Sequence, residues 1–206
     1  MTFGMIALLV MSLLVIFGVG QRVLDRLRIN DRTALAGMAA IFIGGLIPAI
    51  PVGNVEIGLG GCVVPVALCI WVLVRAGTWM ERARALFGAL LTAAAVWLLS
   101  LWMPAEPENI VLDPNYAYGL AAGVIAYLLG RSRRAAFVCA VLGVLLADVL
   151  VGGYNASRGV DTVLRLGTGG ALDAVVISGL IAVLLTEFMG EAIERLVRGR
   201  RKEEAQ

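Results

Sequence analysis

The sequence predicts an all-α polytopic membrane protein, and three observations carry that expectation. Apolar runs of roughly 18 residues, the length that crosses a bilayer core, recur along the whole chain. The composition is 60% hydrophobic with a mean hydropathy of +0.92, whereas a soluble domain is roughly 45–50% apolar. Arginines crowd alternate connections between the runs, as orientation in a membrane demands.

Seven spans are expected, over about 3–20, 33–51, 62–77, 86–103, 116–130, 135–152 and 171–188. The first has no basic residue before it and no small-x-small cleavage site after it, so it is expected to be a retained span. Fifteen of the 17 basic residues fall on one set of connections. Arg22, Arg26, Arg28 and Arg32 follow span one. Arg75, Arg82 and Arg84 flank the next turn on that side, and Arg131, Arg133 and Arg134 form the turn after span five. Arg195, Arg198, Arg200, Arg201 and Lys202 lie in the tail. The opposite connections carry Arg158 and Arg165 alone. Positive charge is retained in the cytoplasm, so the N-terminus is expected outside and the C-terminus inside the cell membrane. Residues 1–190 then form a single transmembrane domain and 191–206 a basic cytoplasmic tail, suited to anionic lipid and not to nucleic acid.

Composition excludes several chemistries. Histidine is absent, which removes His-dependent triads and the usual zinc sites. Cys62, Cys69 and Cys139 lie inside apolar runs without metal-ligand spacing and are expected to be small packing residues. No cofactor or metal is expected. Small residues recur at helical spacing on span two (Ala36, Ala40, Gly44), span five (Gly119, Gly123, Ala126, Gly130) and span six (Ala136, Ala140, Gly143, Ala147). In lipid such stripes let helices approach closely, so these three spans are expected at the packed centre.

A faint internal repeat, over about 33–77 and 135–188, aligns "EIGLGG" with "RLGTGG". Gly58, Gly60 and Gly61 then match Gly167, Gly169 and Gly170. The copies lie four spans apart, which makes the repeat parallel, not inverted. Both Gly-rich connections are expected on the outer side, where they are candidates to pair as short strands. Asn54 and Glu56 are candidate residues for the rim of an outer cavity.

Two aspartates stand out. Asp148 lies near the end of "AAFVCAVLGVLLADVLVG", and Asp173 near the start of "GTGGALDAVVISGLIAVLL". An ionisable group at membrane depth costs roughly 2.5–3.5 kcal/mol on insertion scales, so each marks a functional site by default. The topology puts both at similar depth near the outer face, on consecutive spans. Two carboxyl groups close together in low dielectric share a proton, as in an aspartyl dyad that activates water. An intramembrane aspartyl hydrolase is the first expectation; the alternatives are a proton- or cation-coupled small-solute transporter using the same pair, and a membrane scaffold in which they are two caps.

The segments "GTGGALDAVVISGLIAVLL", "LLADVLVGG" and "NVEIGLGGCVVPVALCIWVLV" resemble the bacterial and archaeal membrane family numbered 1614 among the domains of unknown function, over about residues 33–188. That resemblance implies a fold and no activity. A looser one is to intramembrane aspartyl proteases of the presenilin, signal-peptide-peptidase and prepilin-peptidase type, which pair one Asp in a span with a second in a Gly-x-Gly-Asp motif. It implies roles as catalytic acid and base for Asp148 and Asp173, and a transmembrane helix as substrate. The chain departs from that pattern: Gly170, Ala171 and Leu172 separate Gly169 from Asp173, and Ala147 stands where the presenilin type has tyrosine.

Overall fold

The computed structural model describes residues 31–102, 114–130, 132–160, 162–170 and 173–203. The expected first span and most of the connection after span four lie outside the described residues. Among the described residues six α-helices and three short strands follow one another: α1 (Asp31–Leu46), β1 (Ile50–Val52), β2 (Val55–Ile57), a five-residue π-turn (Leu59–Val63) that runs into α2 (Val64–Val74), α3 (Trp79–Trp102), α4 (Pro114–Gly130), α5 (Arg133–Ser157), β3 (Leu164–Leu166) and α6 (Ala174–Glu203). α3 and α5 are each long and apolar enough to cross a membrane, and α1, α2, α4 and α6 carry shorter apolar stretches.

α5 is the centre of the bundle. Ala136, Cys139 and Ala140 have no exposed surface, nor does Val138, so the helix is buried on more than one face. It packs against α3, α4, α6 and α2. Ala136, Ala140, Gly143 and Ala147, the stripe seen in the sequence, all lie inside. At Gly143 a β-carbon would come within 2.6 Å of Thr92 Cβ on α3, so only glycine lets these helices meet. The stripe on α4 works the same way. β-carbons at Gly119 and Gly123 would fall 2.9 Å and 2.6 Å from the Cγ2 atoms of Ile177 and Ile181 on α6. The stripe on α1 is displaced from its expected place. Ala36 is exposed, and the buried line runs through Gly37, Ile41 and Gly44. α1 packs on the π-turn and α2, at the edge and not at the centre.

Local chemistry explains the helix ends. The Ser132 hydroxyl accepts from the Ala135 amide at 3.2 Å and so caps the start of α5, while donating to Glu81 Oε1 at 3.0 Å. At the other end Gly159 has φ +73°. Its amide donates to Ala156 O and that of Val160 to Asn155 O, both at 3.0 Å. This pairing closes a helix with a left-handed glycine. α5 therefore continues through Gly152 and Gly153 to Ser157, beyond the expected end of the sixth span at 152. A charged fork ends α2: Arg82 Nη2 donates to Val74 O at 3.1 Å and Ala76 O at 3.2 Å, and Arg134 Nη1 donates to Arg75 O at 3.3 Å. Cations at a helix C-terminus meet the negative end of its dipole. α6 runs on to Glu203, across the expected boundary between bundle and tail.

Candidate functional site

The site begins with a small sheet in the order β1-β2-β3. β1 and β2 form an antiparallel hairpin in which Val52 faces Val55 across Gly53, whose φ of +62° glycine adopts without strain. β2 and β3 pair in parallel, with Val55 opposite Leu164, Glu56 opposite Arg165 and Ile57 opposite Leu166. Both sequence-selected polar residues of the hairpin hold this junction. Asn54 Nδ2 donates to Thr162 O at 3.4 Å and its carbonyl accepts from the Leu164 amide at 3.0 Å, while Glu56 pairs with Arg165 Nε at 3.1 Å. They tie two strands together.

The register of the two strands coincides with the alignment of the two Gly-rich segments, since aligning Gly58 with Gly167 also aligns Glu56 with Arg165. The matched glycines meet directly beyond the strands. The Gly58 amide donates to Leu166 O at 2.8 Å, and a β-carbon on Gly58 or Gly61 would run into the Gly167 carbonyl. Gly167 and Gly170 take φ of +65° and +61°. Gly60 packs on the backbone of Gly44 and Gly45, and Gly170 on that of Gly45. Gly169 turns over the Asp173 side chain, its β-carbon position 3.1 Å from Oδ2. All six glycines singled out in the sequence thus lie where backbone meets backbone or folds over a carboxylate. Side chains would push the two arms apart.

Asp173 sits immediately before α6, not three residues within it. Its Oδ1 accepts from the Val175 amide and its Oδ2 from the Gly169 amide, both at 3.0 Å. Its carbonyl takes the Ile177 amide, the first bond of the helix. Asp173 is therefore the N-cap of α6, its carboxyl group at the positive end of the dipole, and at the same time pins the Gly-rich turn. It is 8% exposed.

Asp148 approaches from the side of α5. It is half-buried, within electrostatic reach of Asp173. Among the described residues no hydrogen bond or ion pair reaches its carboxylate. Two further side chains complete the surroundings. Cys62, in the π-turn, lies within electrostatic reach of both carboxylates, and Tyr118 of α4 within reach of Asp148. Neither was singled out for chemistry in the sequence. Cys62 follows directly on the Gly60-Gly61 pair and Tyr118 stands one residue before Gly119, and that adjacency to glycine stripes was the available signal. The four residues come from four segments. Among the described residues no group of three or more Cys, Asp or Glu side chains is arranged to hold a metal ion.

Comparison with known proteins places this arrangement in a family. The model of the family described as "Protein of unknown function (DUF1614)" matches residues 48–185, from the first strand to the middle of α6. The chain belongs to the DUF1614 family. The thiol:disulfide interchange proteins DsbD of two Campylobacter jejuni strains are each 28% identical to it over 104 residues. That stretch is 49% of this chain and 15% of each relative's length. No solved structure matches the chain significantly.

Proposed function

We propose that this DUF1614 protein is a multi-pass protein of the cell membrane in which Asp148, set against Asp173, binds a proton or small cation and couples it to the movement of a small solute. Membrane residence is supported by the length and apolar character of α3 and α5. It is supported too by the outward side chains of α3, where Phe87, Leu90 and Leu98 are all more than half exposed, a surface that lipid covers at no cost. The seven-span topology, with the sheet outside, rests on the alternation of arginines.

The observation that carries the coupling role is the inequality of the two carboxylates. Both oxygens of Asp173 accept backbone amides, which hold its carboxyl group in one fixed orientation. Among the described residues Asp148 has no such partner, and it stands on the central helix. An unpaired carboxylate in an apolar interior is costly unless a proton or cation accompanies it. The break in regular backbone beside it, where β2 enters the π-turn and β3 the Gly-rich turn, is the kind of interruption at which transporters hold substrate and ion.

An aspartyl hydrolase would use the same pair, but it needs two nearly equivalent carboxyl groups turned to one water. Asp173, committed to the end of α6, fits that less well. A scaffold role explains Asp173 and leaves Asp148 without a purpose. The interchange chemistry named for the Campylobacter proteins requires a thiol that a second sulfur reaches. The match covers only 15% of those proteins, and Cys69 and Cys139 are fully buried here, so that activity is left with the Campylobacter proteins. The test is modification by a lipid-soluble carbodiimide, which reacts with a protonated carboxyl group in hydrocarbon and needs no knowledge of the solute.

A further inference from the structure

The β2–β3 ladder lies directly beyond the carboxylate pair, and its construction suits a part that opens. Each strand has three residues. The ladder's ends are single backbone bonds, Leu164 N–H to Asn54 O and Gly58 N–H to Leu166 O. Across its middle runs the Glu56–Arg165 ion pair at 3.1 Å, with side chains 34% and 68% exposed. An exposed pair of this kind is readily broken and re-formed. Behind the strands the two arms meet backbone to backbone, with Gly58 and Gly61 seated on Gly167.

A short mechanical path joins the ladder to the site. β3 leads at Leu166 into Gly167, and the turn that follows presents the Gly169 amide to Asp173 Oδ2. The same carboxylate holds the Val175 amide through Oδ1. On the other arm, β2 leads through Gly58 into the π-turn that carries Cys62, within electrostatic reach of both aspartates. Parting the strands therefore draws the two arms off one another at the point where the carboxylates lie. It also frees Glu56 from Arg165.

We propose that the β2–β3 ladder is a latch over the carboxylate site, with Glu56–Arg165 as its breakable catch, so that a proton or cation reaches Asp148 only when the strands part. This regulation rests on the proposed role of the pair, but its test does not. In the full chain in lipid nanodiscs, hydrogen–deuterium exchange at the Gly169 and Val175 amides reports whether the turn has left Asp173. Glu56→Arg places like charges across the ladder and is expected to speed exchange at both amides roughly fivefold. The swapped chain Glu56→Arg with Arg165→Glu restores the attraction and the wild-type rate. Glu56→Gln is expected to fall between. Exchange unchanged in Glu56→Arg, or not restored by the swap, overturns the latch. In the same samples, cation protection of Asp148 from carbodiimide reports the ligand separately. Exchange that follows the charges, with no cation protection in any chain, keeps the latch and removes cation binding from the site.

Discussion

Gly58 and Gly167, the same position in the two Gly-rich segments, touch backbone to backbone, and a β-carbon at Gly58 has no room beside the Gly167 carbonyl. The contact joins the two Gly-rich segments at the foot of a parallel ladder that pairs Glu56 with Arg165. Gly58→Ala is expected to destabilise the protein by about 1–3 kcal/mol, as overpacking does. Thermal unfolding in nanodiscs checks it, with loss of the β2–β3 amide protection as the accompanying sign.

Gly153 makes the opposite prediction. It lies inside α5, and a β-carbon there meets nothing within 4 Å. Gly153→Ala is expected to stabilise by about 0.5–1 kcal/mol, because alanine loses less backbone freedom in a helix. A rise in melting temperature supports the continuous helix. A fall would mean that the chain turns at Gly153 after all.

Asp173 serves structure first. Asn keeps an oxygen for the Val175 amide and ranks with Asp as an N-cap, so Asp173→Asn is expected to cost little stability. Asp173→Ala leaves the Val175 and Gly169 amides without their acceptor, and about 1–2 kcal/mol is lost. Asp148→Asn is expected to leave stability unchanged or raise it, because it removes a charge that no hydrogen bond supports. Melting curves of the three variants, compared with their cation binding, separate the two roles. The account expects Asp148→Asn to abolish binding in a folded protein.

Gly159 tests the end of α5. With φ +73° it closes the helix, and nothing lies near its β-carbon position. Gly159→Ala is expected to cost about 1–2 kcal/mol from backbone strain alone, while Gly159→Asn costs less, since Asn tolerates this conformation. Equal melting temperatures for the two variants would contradict it.

Much of this arrangement could be read from residue spacing. The stripes on α4 and α5 lie where the 3.6-residue period puts them, because in an apolar chain small residues decide where helices touch. The GxGG match between residues 58–61 and 167–170 located the crossing of the arms, since only glycine permits such an approach. Spacing served less well where an end-cap decided the outcome. Gly152 and Gly153 looked like a linker, yet the helix is closed by Gly159, whose partners Asn155 and Ala156 carry no conspicuous signal. Asp173 looked like a residue inside a span, because the acceptors that make it a cap are its own carboxylate oxygens, and they act on amides that any residue would supply. Tyr118 and Cys62 were silent because their importance lies in which residues of other segments they face.

The central claim is that Asp148 is the group that takes up the ion, and dicyclohexylcarbodiimide labelling read by mass spectrometry tests it most directly. In nanodiscs the account predicts modification at Asp148 and not at Asp173, falling as pH rises and slowed by an added monovalent or divalent cation if a cation is the ligand. Asp148→Asn should remove the label altogether. Equal modification of both aspartates, or labelling of Asp148 that neither pH nor any cation alters, would contradict it.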